Sequence, residues 1–444
     1  MGKFYAYAPE QSFLLPPSPR DWLPCGHLVF FINETVDQLD LNKLGRKYSL
    51  ELRGEKAYPP EMLLKVLLYG YATGVFSSRE IARKLYEDVA FRYLGAGLFP
   101  AHRTICRFRQ DNLEEVRGLF EQVVGIACEA GLVKLGLVAI DGSKVKANAS
   151  KHKAMSYERM QSEEKRLKGE VQRLLKRAEE EDSEEDEQFG ELSGDEIPEE
   201  LKRREDRLET IRAAKQRLEE RQREKDREKG RSDDDDRNAG GNRPQGGCSK
   251  FSRDFGVPEP KAQENFTDPE SRIMKTSSSG YQQCYNGQVI VDAEAQIIVA
   301  ADVSQNAADT ESLIPLIEQT KDNVGQNPKR VAGDSGFRSE ENFKALERKK
   351  IIGLIALGRE GKPTPERKSE MPATDRMDHR LATKRGMALY ARRKAIVEPV
   401  FGIAKHVLGF RSFLLRGTKK VKAEWLLVCT ALNLKCMSTR MRWT

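Results

Sequence analysis

The sequence has few of the features that mark membrane, secreted or metal-framework proteins. It contains no apolar run near the roughly 20 residues that span a bilayer, and its N-terminus has no signal-peptide apolar region. The seven cysteines are scattered without a Cys-x-x-Cys pair, so we interpret them as reduced core thiols. Cys25 and His27 supply only two of the ligands that a zinc site needs. We therefore expect a cytoplasmic protein that does not contact a membrane.

Charge is abundant where hydrophobic residues are not. Charged residues make up 33% of the 444 positions and hydrophobic residues only 38%, with a net charge of +7. A chain of this length forms two or three domains, and part of it has to be solvated rather than packed. The positive balance favours a polyanionic partner, although it does not identify one.

Residues from about 58 to 130 have a helical pattern. Ser77 and Ser78 followed by Glu80 predict a capped helix start. A second short helix is predicted over 101–112, where three arginines surround Ile105 and Phe108: Arg103, Arg107 and Arg109. Two short helices of this kind are compatible with a helix-turn-helix that binds DNA, and equally with an ordinary all-α domain that has a basic face.

Residues 156–230 consist mostly of Glu, Lys, Arg and Gln. Two heptad seams run through them: Met160, Leu167, Val171 and Leu174, then Leu201, Leu208, Ile211 and Leu218. Together the seams predict an antiparallel helical hairpin. The following stretch, 231–270, is predicted as a flexible linker, in which four aspartates form a solvated charge run rather than a metal site.

Strand and helix patterns alternate around this insertion. Apolar runs predict strands at 135–140, twice within 287–304, at 329–336 and at 351–357, and helices are predicted near 309–320, 339–349 and 387–407. This order favours a mixed sheet covered by helices.

Three acidic residues stand where chemistry is expected. Asp141 and Asp334 each follow a mostly apolar run and precede a loop, although single strand-end aspartates are often turn formers or helix caps. Glu398 lies on the last predicted helix, whose apolar stripe fixes it against the sheet. The alternative for Glu398 is a solvated Lys-Glu-Lys face. Pro399 predicts a kink or a helix start at this point.

Carboxylates without a Ser-His or Cys-His arrangement indicate metal-ion chemistry. Hard oxygen ligands select Mg²⁺ or Mn²⁺, and two such ions can promote phosphodiester displacement. Lys144 and Lys146 follow Asp141 closely, and we expect them to hold the phosphates of a substrate.

Several ordered motifs together resemble those of one family. The segments are AIDGSKVKANASKHKAMSY, TDPESRIMK, GYQQCYNGQVIVD, AGDSGFRSEENF and YARRKAIVEPVFGIAKHVLGFRSFLLRG. They look like bacterial insertion-sequence transposases of the DDE type, in the group named for insertion sequence 1182. The resemblance runs from about residue 23 to residue 434. It implies a multidomain protein with an N-terminal all-α DNA-binding domain and a ribonuclease-H-like mixed sheet, interrupted by the charged helical hairpin.

The resemblance also assigns residues. Asp141, Asp334 and Glu398 would be the catalytic and metal-binding triad, holding two Mg²⁺ or Mn²⁺ ions. In related transposases a tyrosine, an arginine and a lysine accompany the glutamate and contact DNA. Lys405 fits the usual spacing, whereas Tyr390 and Arg393 each stand one residue farther from Glu398 than usual and Lys394 occupies the arginine's helical position.

The predicted organisation follows from these assignments. It comprises a DNA-binding domain at 1–130, the start of the catalytic core at 131–155, the hairpin at 156–230, the linker at 231–270 and the rest of the core at 271–444. The resemblance implies phosphodiester hydrolysis at element ends and strand transfer of the 3′-hydroxyl. The partners would be double-stranded DNA, both terminal inverted repeats and target, and a second copy in a homodimer at the bacterial nucleoid. A non-catalytic, degenerate or domesticated DNA-binding copy and a structure-selective nuclease are the alternatives.

Overall fold

The computed structural model describes residues 18–44, 57–150, 153–189, 199–231, 253–276, 280–358 and 371–441. Within these ranges the chain forms two compact units. The first contains the described residues up to Val145 and from Tyr285 onward, and the second contains those from Lys146 to Cys284. The N-terminal helices therefore belong to the same unit as most of the sheet.

Among the described residues of the first unit, six helices precede the sheet. They are α1 (Leu28–Asp37), α2 (Pro60–Thr73), α3 (Ser78–Glu87), α4 (Val89–Gly95), α5 (His102–Asp111) and α6 (Leu113–Glu129), after a 3-10 turn at Pro19–Trp22. Helix α2 starts at a proline, whose missing N–H costs nothing in the first turn. It ends at Gly74, which has φ 85°, a conformation that glycine adopts without strain.

The sequence located both short N-terminal helices but not the cap of the first. Helix α5 agrees with the helix predicted over 101–112, and α3 begins at Ser78 as predicted. The capping prediction was wrong, because Ser77 at the N-cap makes no side-chain hydrogen bond to the helix. Ser78 is itself buried, so its hydroxyl faces the packed side of α3 rather than solvent.

The main sheet of the described residues has six strands: β4 (Arg272–Thr276), β5, β1, β7 and β8 lie in that order, and β6 pairs with β5. Their bounds are β1 (Val138–Lys146), β5 (Gly280–Asp292), β6 (Ile298–Ser304), β7 (Arg330–Gly333) and β8 (Ile352–Ile355). Strands β1, β7 and β8 pair in parallel, whereas β5 and β6 pair antiparallel with a register shift at Ile290. The sheet is therefore mixed, as the alternating pattern predicted.

Strand β1 is longer than the sequence predicted. The apolar run ends at Ile140, but the strand continues through Asp141 to Lys146. Val145 explains the extension, because its side chain is buried and draws the chain back into the packed layer. Asp141 thus lies within β1 rather than directly after it, while Asp334 does follow the last residue of β7.

In the described residues, five helices, two 3-10 turns and one π-helical turn follow or separate the later strands. The helices are α9 (Leu313–Val324), α10 (Glu340–Arg348), α11 (Pro372–Ala382), α12 (Lys384–Gly402) and α13 (Thr418–Arg440). The 3-10 turns lie at Thr310–Ser312 and Ser335–Phe337. Pro399 stands inside α12, and a π-helical turn at Ile403–Val407 comes directly after the helix.

The sequence prediction ended one helix too early. Helix α13 was missed because it is apolar on almost every face, so it has no amphipathic period. Trp425 in its second turn is buried, and its indole N–H donates to the Gln288 carbonyl of β5 at 3.1 Å. Asn433, two turns later, bonds the Ile298 backbone in both directions at 2.8 Å. Helix α13 therefore closes the core over the antiparallel strands.

The second unit is built on the charged hairpin. It contains β2 (Ala154–Ser156), α7 (Tyr157–Phe189), α8 (Glu199–Glu228), β3 (Gln263–Asn265) and β4 (Arg272–Thr276). Five of the eight predicted seam residues are buried together in its core: Met160, Leu167, Leu208, Ile211 and Leu218. Val171 and Leu174 are half-buried, and the side chain of Leu201 lies outside the described residues. The linker prediction over 231–270 fails at β3, which pairs with β2 and buries Glu264 against two arginines of α8. The other part of that linker, 232–252, lies outside the described residues.

No helix in the described part of the chain combines the length and the apolar character that crossing a bilayer requires.

Candidate active site

Two aspartates stand side by side at the end of the parallel strands. The register of β1 and β7 pairs Val138 with Val331 and Ala139 with Ala332. Two residues further along, the same register sets Asp141 opposite Asp334. Neighbouring strands lie about 4.8 Å apart, so the two carboxylates share one edge of the sheet. The two aspartates that the sequence placed after similar apolar runs are therefore neighbours in the folded sheet.

Asp141 is held on both carboxylate oxygens. Its Oδ1 accepts the Gly142 amide at 2.8 Å, and its Oδ2 accepts Arg393 Nη1 at 3.2 Å. Burial and the nearby Asp334 charge raise the pKa of Asp141 to about 6, against the lowering effect of Arg393 and the Gly142 N–H; Asp309 raises it further. A carboxylate that is costly to ionise in the free protein is suited to receive a cation.

Asp334 organises the turn that follows β7. Its Oδ1 accepts the Gly336 amide at 2.8 Å and so caps the 3-10 helix Ser335–Phe337. Phe337 is buried under this turn. The structural role that strand-end aspartates often have is therefore present here, and it fixes the Asp334 carboxylate beside Asp141.

Helix α12 contributes an arginine to the pair. Arg393 is 8% exposed and its Nε has no hydrogen-bond partner among the described residues. Lys394, which the helical spacing favoured for this position, is exposed, and Tyr390 is half-buried. The side chain that reaches the sheet edge is thus Arg393, five residues before Glu398.

Glu398 does not complete a cation site in this conformation. Its side chain is exposed on α12. Among the residues that the structure describes, no three His, Cys, Asp or Glu side chains are grouped closely enough to hold a metal ion. The structure thus brings two of the three predicted carboxylates together, and presents the third on the helix that contacts one of them through Arg393.

Lysines approach the same edge from two directions. Lys405, in the π-helical turn, donates to Ser143 Oγ at 2.6 Å and to the Lys144 carbonyl at 2.8 Å. Lys144 Nζ lies 3.4 Å from Asp309 Oδ1. Lys146, at the end of β1, is exposed and belongs to the second unit. Lys144 and Lys405 therefore place positive charge next to Asp141.

The sequence prediction missed an aspartate and two amides beside this pair. Asp309 precedes the 3-10 helix Thr310–Ser312, and its Oδ1 accepts Asn286 Nδ2 at 2.5 Å and Gln288 Nε2 at 2.9 Å. The available signal was the pattern of β5, where Asn286 and Gln288 alternate within the buried part of the strand. Two buried amides on one face of a strand require partners, which indicates a polar site.

The three arginines of α5 have different surroundings. Arg103 and Arg107 are exposed one turn apart, and Arg107 Nε pairs with Asp111 at 3.3 Å. Arg109 is 5% exposed, and its Nη1 donates to Tyr71 Oη at 3.1 Å and to the Phe76 carbonyl at 3.2 Å. The prediction that Arg109 contacts DNA was wrong, because it lies on the face of α5 that packs against α2.

The buried arginine belongs to a network that extends to α13. Glu424 is fully buried, accepts Tyr71 Oη at 3.4 Å and accepts the amides of Leu414 and Leu415 at 3.0 Å each. Burial raises the pKa of Glu424 against the lowering effect of these amides and of Arg109. Burial lowers the pKa of Arg109, but Tyr71 and Glu424 outweigh it, and the net pKa is raised.

Two family models match parts of the chain. Residues 252–434 match a family described as Transposase DDE domain, and residues 17–111 match one described as Transposase domain (DUF772). The first range contains Asp309, Asp334, Arg393 and Glu398, whereas Asp141 precedes it. Neither the curated proteins nor the solved structures include a match to the chain. The two family matches support an insertion-sequence transposase, with the enzyme class and the DNA partner that such a protein has.

Proposed function

We propose that this chain is a DDE transposase that hydrolyses the phosphodiester at the ends of its element and joins the freed 3′-hydroxyl to target DNA. The observation that carries the proposal is that Asp141 on β1 and Asp334 directly after β7 meet at one edge of the parallel strands, where Arg393 of α12 donates to Asp141. The DDE match over 252–434 supports the same assignment. We also propose that it belongs to the group of insertion sequence 1182.

The core is proposed to be ribonuclease-H-like. The mixed sheet, in which β4 and β6 pair antiparallel with β5 while β1, β7 and β8 are parallel, supports this fold. In such a sheet, functional groups collect where parallel strands end, which is where Asp141 and Asp334 stand.

The donor set fits a divalent cation with hard ligands. Asp141 and Asp334 offer carboxylate oxygens at one sheet edge, and the side-chain oxygens of Asn286 and Gln288 are buried nearby with no donor among the described residues. Asp141, Asp334 and Glu398 would hold Mg²⁺ or Mn²⁺. When bound, the cation would lower the pKa of the attacking water and neutralise charge that develops on the phosphate.

Glu398 is proposed as the third acid because α12 is anchored to β1 on both sides of it. Arg393 contacts Asp141 five residues before it, and Lys405 contacts Ser143 and Lys144 seven residues after it. Glu398 thus lies on α12 between these two contacts, with Lys405 in the π-helical turn that follows the helix.

The surrounding cations have separate tasks in this proposal. Arg393 keeps Asp141 ionised and oriented by a charge-assisted hydrogen bond. Lys144 and Lys405 hold phosphate oxygens beside the carboxylates, with Lys146, Tyr390 and Lys394 along the same DNA strand. Arg103 and Arg107, exposed on α5, bind the backbone of the terminal repeat. Because two element ends have to meet, we propose a homodimer as the active form.

Cleavage of a labelled element end tests the function. The wild-type protein should cut it only with Mg²⁺ or Mn²⁺ present and should then yield joined products when target DNA is added. Asp141→Ala and Glu398→Ala should retain DNA binding while cleavage falls by about 1,000-fold or more. Glu341→Ala, an exposed position on α10, serves as the matched control.

Each outcome separates the alternatives. Binding without cutting by the wild type would identify a non-catalytic DNA-binding protein, and cutting without joined products would identify a nuclease. Glu398→Ala with unchanged cleavage would remove Glu398 from the proposed triad.

A further inference from the structure

The Asp309 carboxylate lies between Gly142 of β1 and Gly336 of the 3-10 turn that follows β7. A Cβ atom built on Gly142 would lie 2.7 Å from Asp309 Oδ1, and one built on Gly336 would lie 2.9 Å from Asp309 Oδ2. Gly142 follows Asp141, and Gly336 comes two residues after Asp334. Because Gly142 and Gly336 have no side chains, there is room for the Asp309 carboxylate between them.

Two buried amides hold the Asp309 carboxylate in this space. Asn286 Nδ2 and Gln288 Nε2 both donate to Oδ1, and both residues come from β5, where they are 0% and 1% exposed. A buried amide that loses its acceptor is destabilising. The two amides of β5, together with the turn that carries Asp309, therefore fix the position of its carboxylate.

The same oxygen carries the Lys144 ammonium. Lys144 Nζ lies 3.4 Å from Asp309 Oδ1, and both side chains are largely buried. Lys144 is three residues after Asp141 on β1, and its carbonyl accepts Lys405 Nζ. An ammonium has three donors, so Lys144 can bind Asp309 and still donate to a phosphate.

We propose that Asp309 is a positioning residue of the active site: it fixes the Lys144 ammonium beside Asp141 so that the lysine binds the phosphate being cut. The inference rests on the proposed function, since it assigns the role of Lys144 in that reaction. The chain of contacts runs from Asn286 and Gln288 through Asp309 to Lys144. No bond to substrate is assigned to Asp309 itself.

A double-mutant cycle tests the role with a readout that a merely structural residue would not move. Asp309→Asn keeps the shape and an oxygen that can accept the two amides, but it removes the charge that holds Lys144. Single-turnover cleavage at saturating DNA should fall by about 10- to 100-fold in Asp309→Asn and in Lys144→Gln. The double variant should be no slower than the slower single variant, because both changes remove one interaction.

Binding and stability measurements separate positioning from folding. The Kd for DNA and the thermal midpoint of Asp309→Asn should stay close to the wild-type values, and Asp309→Glu should recover part of the rate. Asp322→Asn, an exposed position on α9, is the matched control.

Two results overturn the inference while leaving the proposed function intact: a wild-type rate in Asp309→Asn, or multiplicative losses in the double variant. If the wild-type protein cuts no DNA with either cation, the proposed function fails, and the role of Asp309 fails with it.

Discussion

Arg393 Nη1 donates to Asp141 Oδ2 at 3.2 Å, although the two residues are 252 positions apart in the chain. The contact joins α12, in the last third of the chain, to strand β1. Because Arg393 is buried, its charge acts on Asp141 with little screening by water. The hydrogen bond between Arg393 and Asp141 therefore joins α12 and β1 in one site.

Arg393→Gln should weaken catalysis through Asp141. Arg393 lowers the pKa of Asp141, so its removal should raise that pKa and move the acid limb of the cleavage profile to higher pH. We expect the rate at neutral pH to fall by about 10- to 100-fold, as loss of a charge-assisted contact worth about 1.5–3 kcal/mol implies. The pH dependence of single-turnover cleavage measures this. Arg392→Gln, an exposed neighbour, should keep the wild-type profile.

Asp141→Asn should stabilise the metal-free protein at neutral pH. The pKa of Asp141 is raised to about 6 in the fold, chiefly by burial and Asp334, above its ordinary value of 3.8. Between these values the folded protein binds more protons than the unfolded chain, so ionisation of Asp141 lowers stability as the pH rises from about 4 to 6. The variant escapes this loss and should gain about 1–3 kcal/mol at pH 7. Denaturant unfolding at pH 4 and pH 7 checks it, and equal gains at both would contradict the explanation.

The sequence identified those site residues that follow an apolar run, and it missed those whose partners are distant in the chain. Asp141 and Asp334 were identifiable because each follows an apolar run, and parallel strands bring such positions to one edge. Asp309 was missed because its role depends on Asn286 and Gln288, whose side chains meet it only in the folded sheet. Arg109 was misassigned, since the spacing of α5 does not reveal which of its faces packs on Tyr71.

The same distinction applies to the fold. Helix α10 and the hairpin seams were predicted because each is amphipathic, so its buried face appears as a period in the sequence. Helix α13 has no such period, because Trp425, Cys429 and their neighbours are buried on nearly all sides. The extension of β1 past Asp141 depends on one buried residue, Val145, which is too little for a pattern.

Substitution by Gln should affect fold stability at Arg109 and DNA binding at Arg107. Arg109→Gln should destabilise the fold by about 3 kcal/mol, because it breaks the buried network with Tyr71 and leaves Glu424 without a compensating charge. Arg107→Gln should leave stability within about 0.5 kcal/mol, since its pair with Asp111 is exposed. In DNA-binding titrations over a range of salt, Arg107→Gln should reduce the salt slope by about 1. An unchanged slope would show that α5 does not contact the phosphates.

Removal of the divalent cation should be visible as a loss of stability. A cation that binds only the folded protein at 100 times its Kd stabilises it by about 2.7 kcal/mol. Mn²⁺ should therefore raise the thermal midpoint of the wild-type protein, and a chelator should reverse the change. Asp334→Asn should show a much smaller shift, because it removes one of the two carboxylates that meet at the sheet edge. A full shift in this variant would locate the cation elsewhere.

The hairpin gives a prediction that does not depend on catalysis. Leu208 is 6% exposed within the core formed by α7 and α8. Leu208→Ala should cost about 2–5 kcal/mol, because it removes buried methyl groups and leaves a cavity. Leu175 on α7 is 43% exposed, so Leu175→Ala should change stability by less than about 0.5 kcal/mol. Denaturant unfolding of the full chain, followed by hydrogen exchange in α7 and α8, distinguishes the two. Equal losses in both variants would mean that the buried seam does not hold the hairpin together.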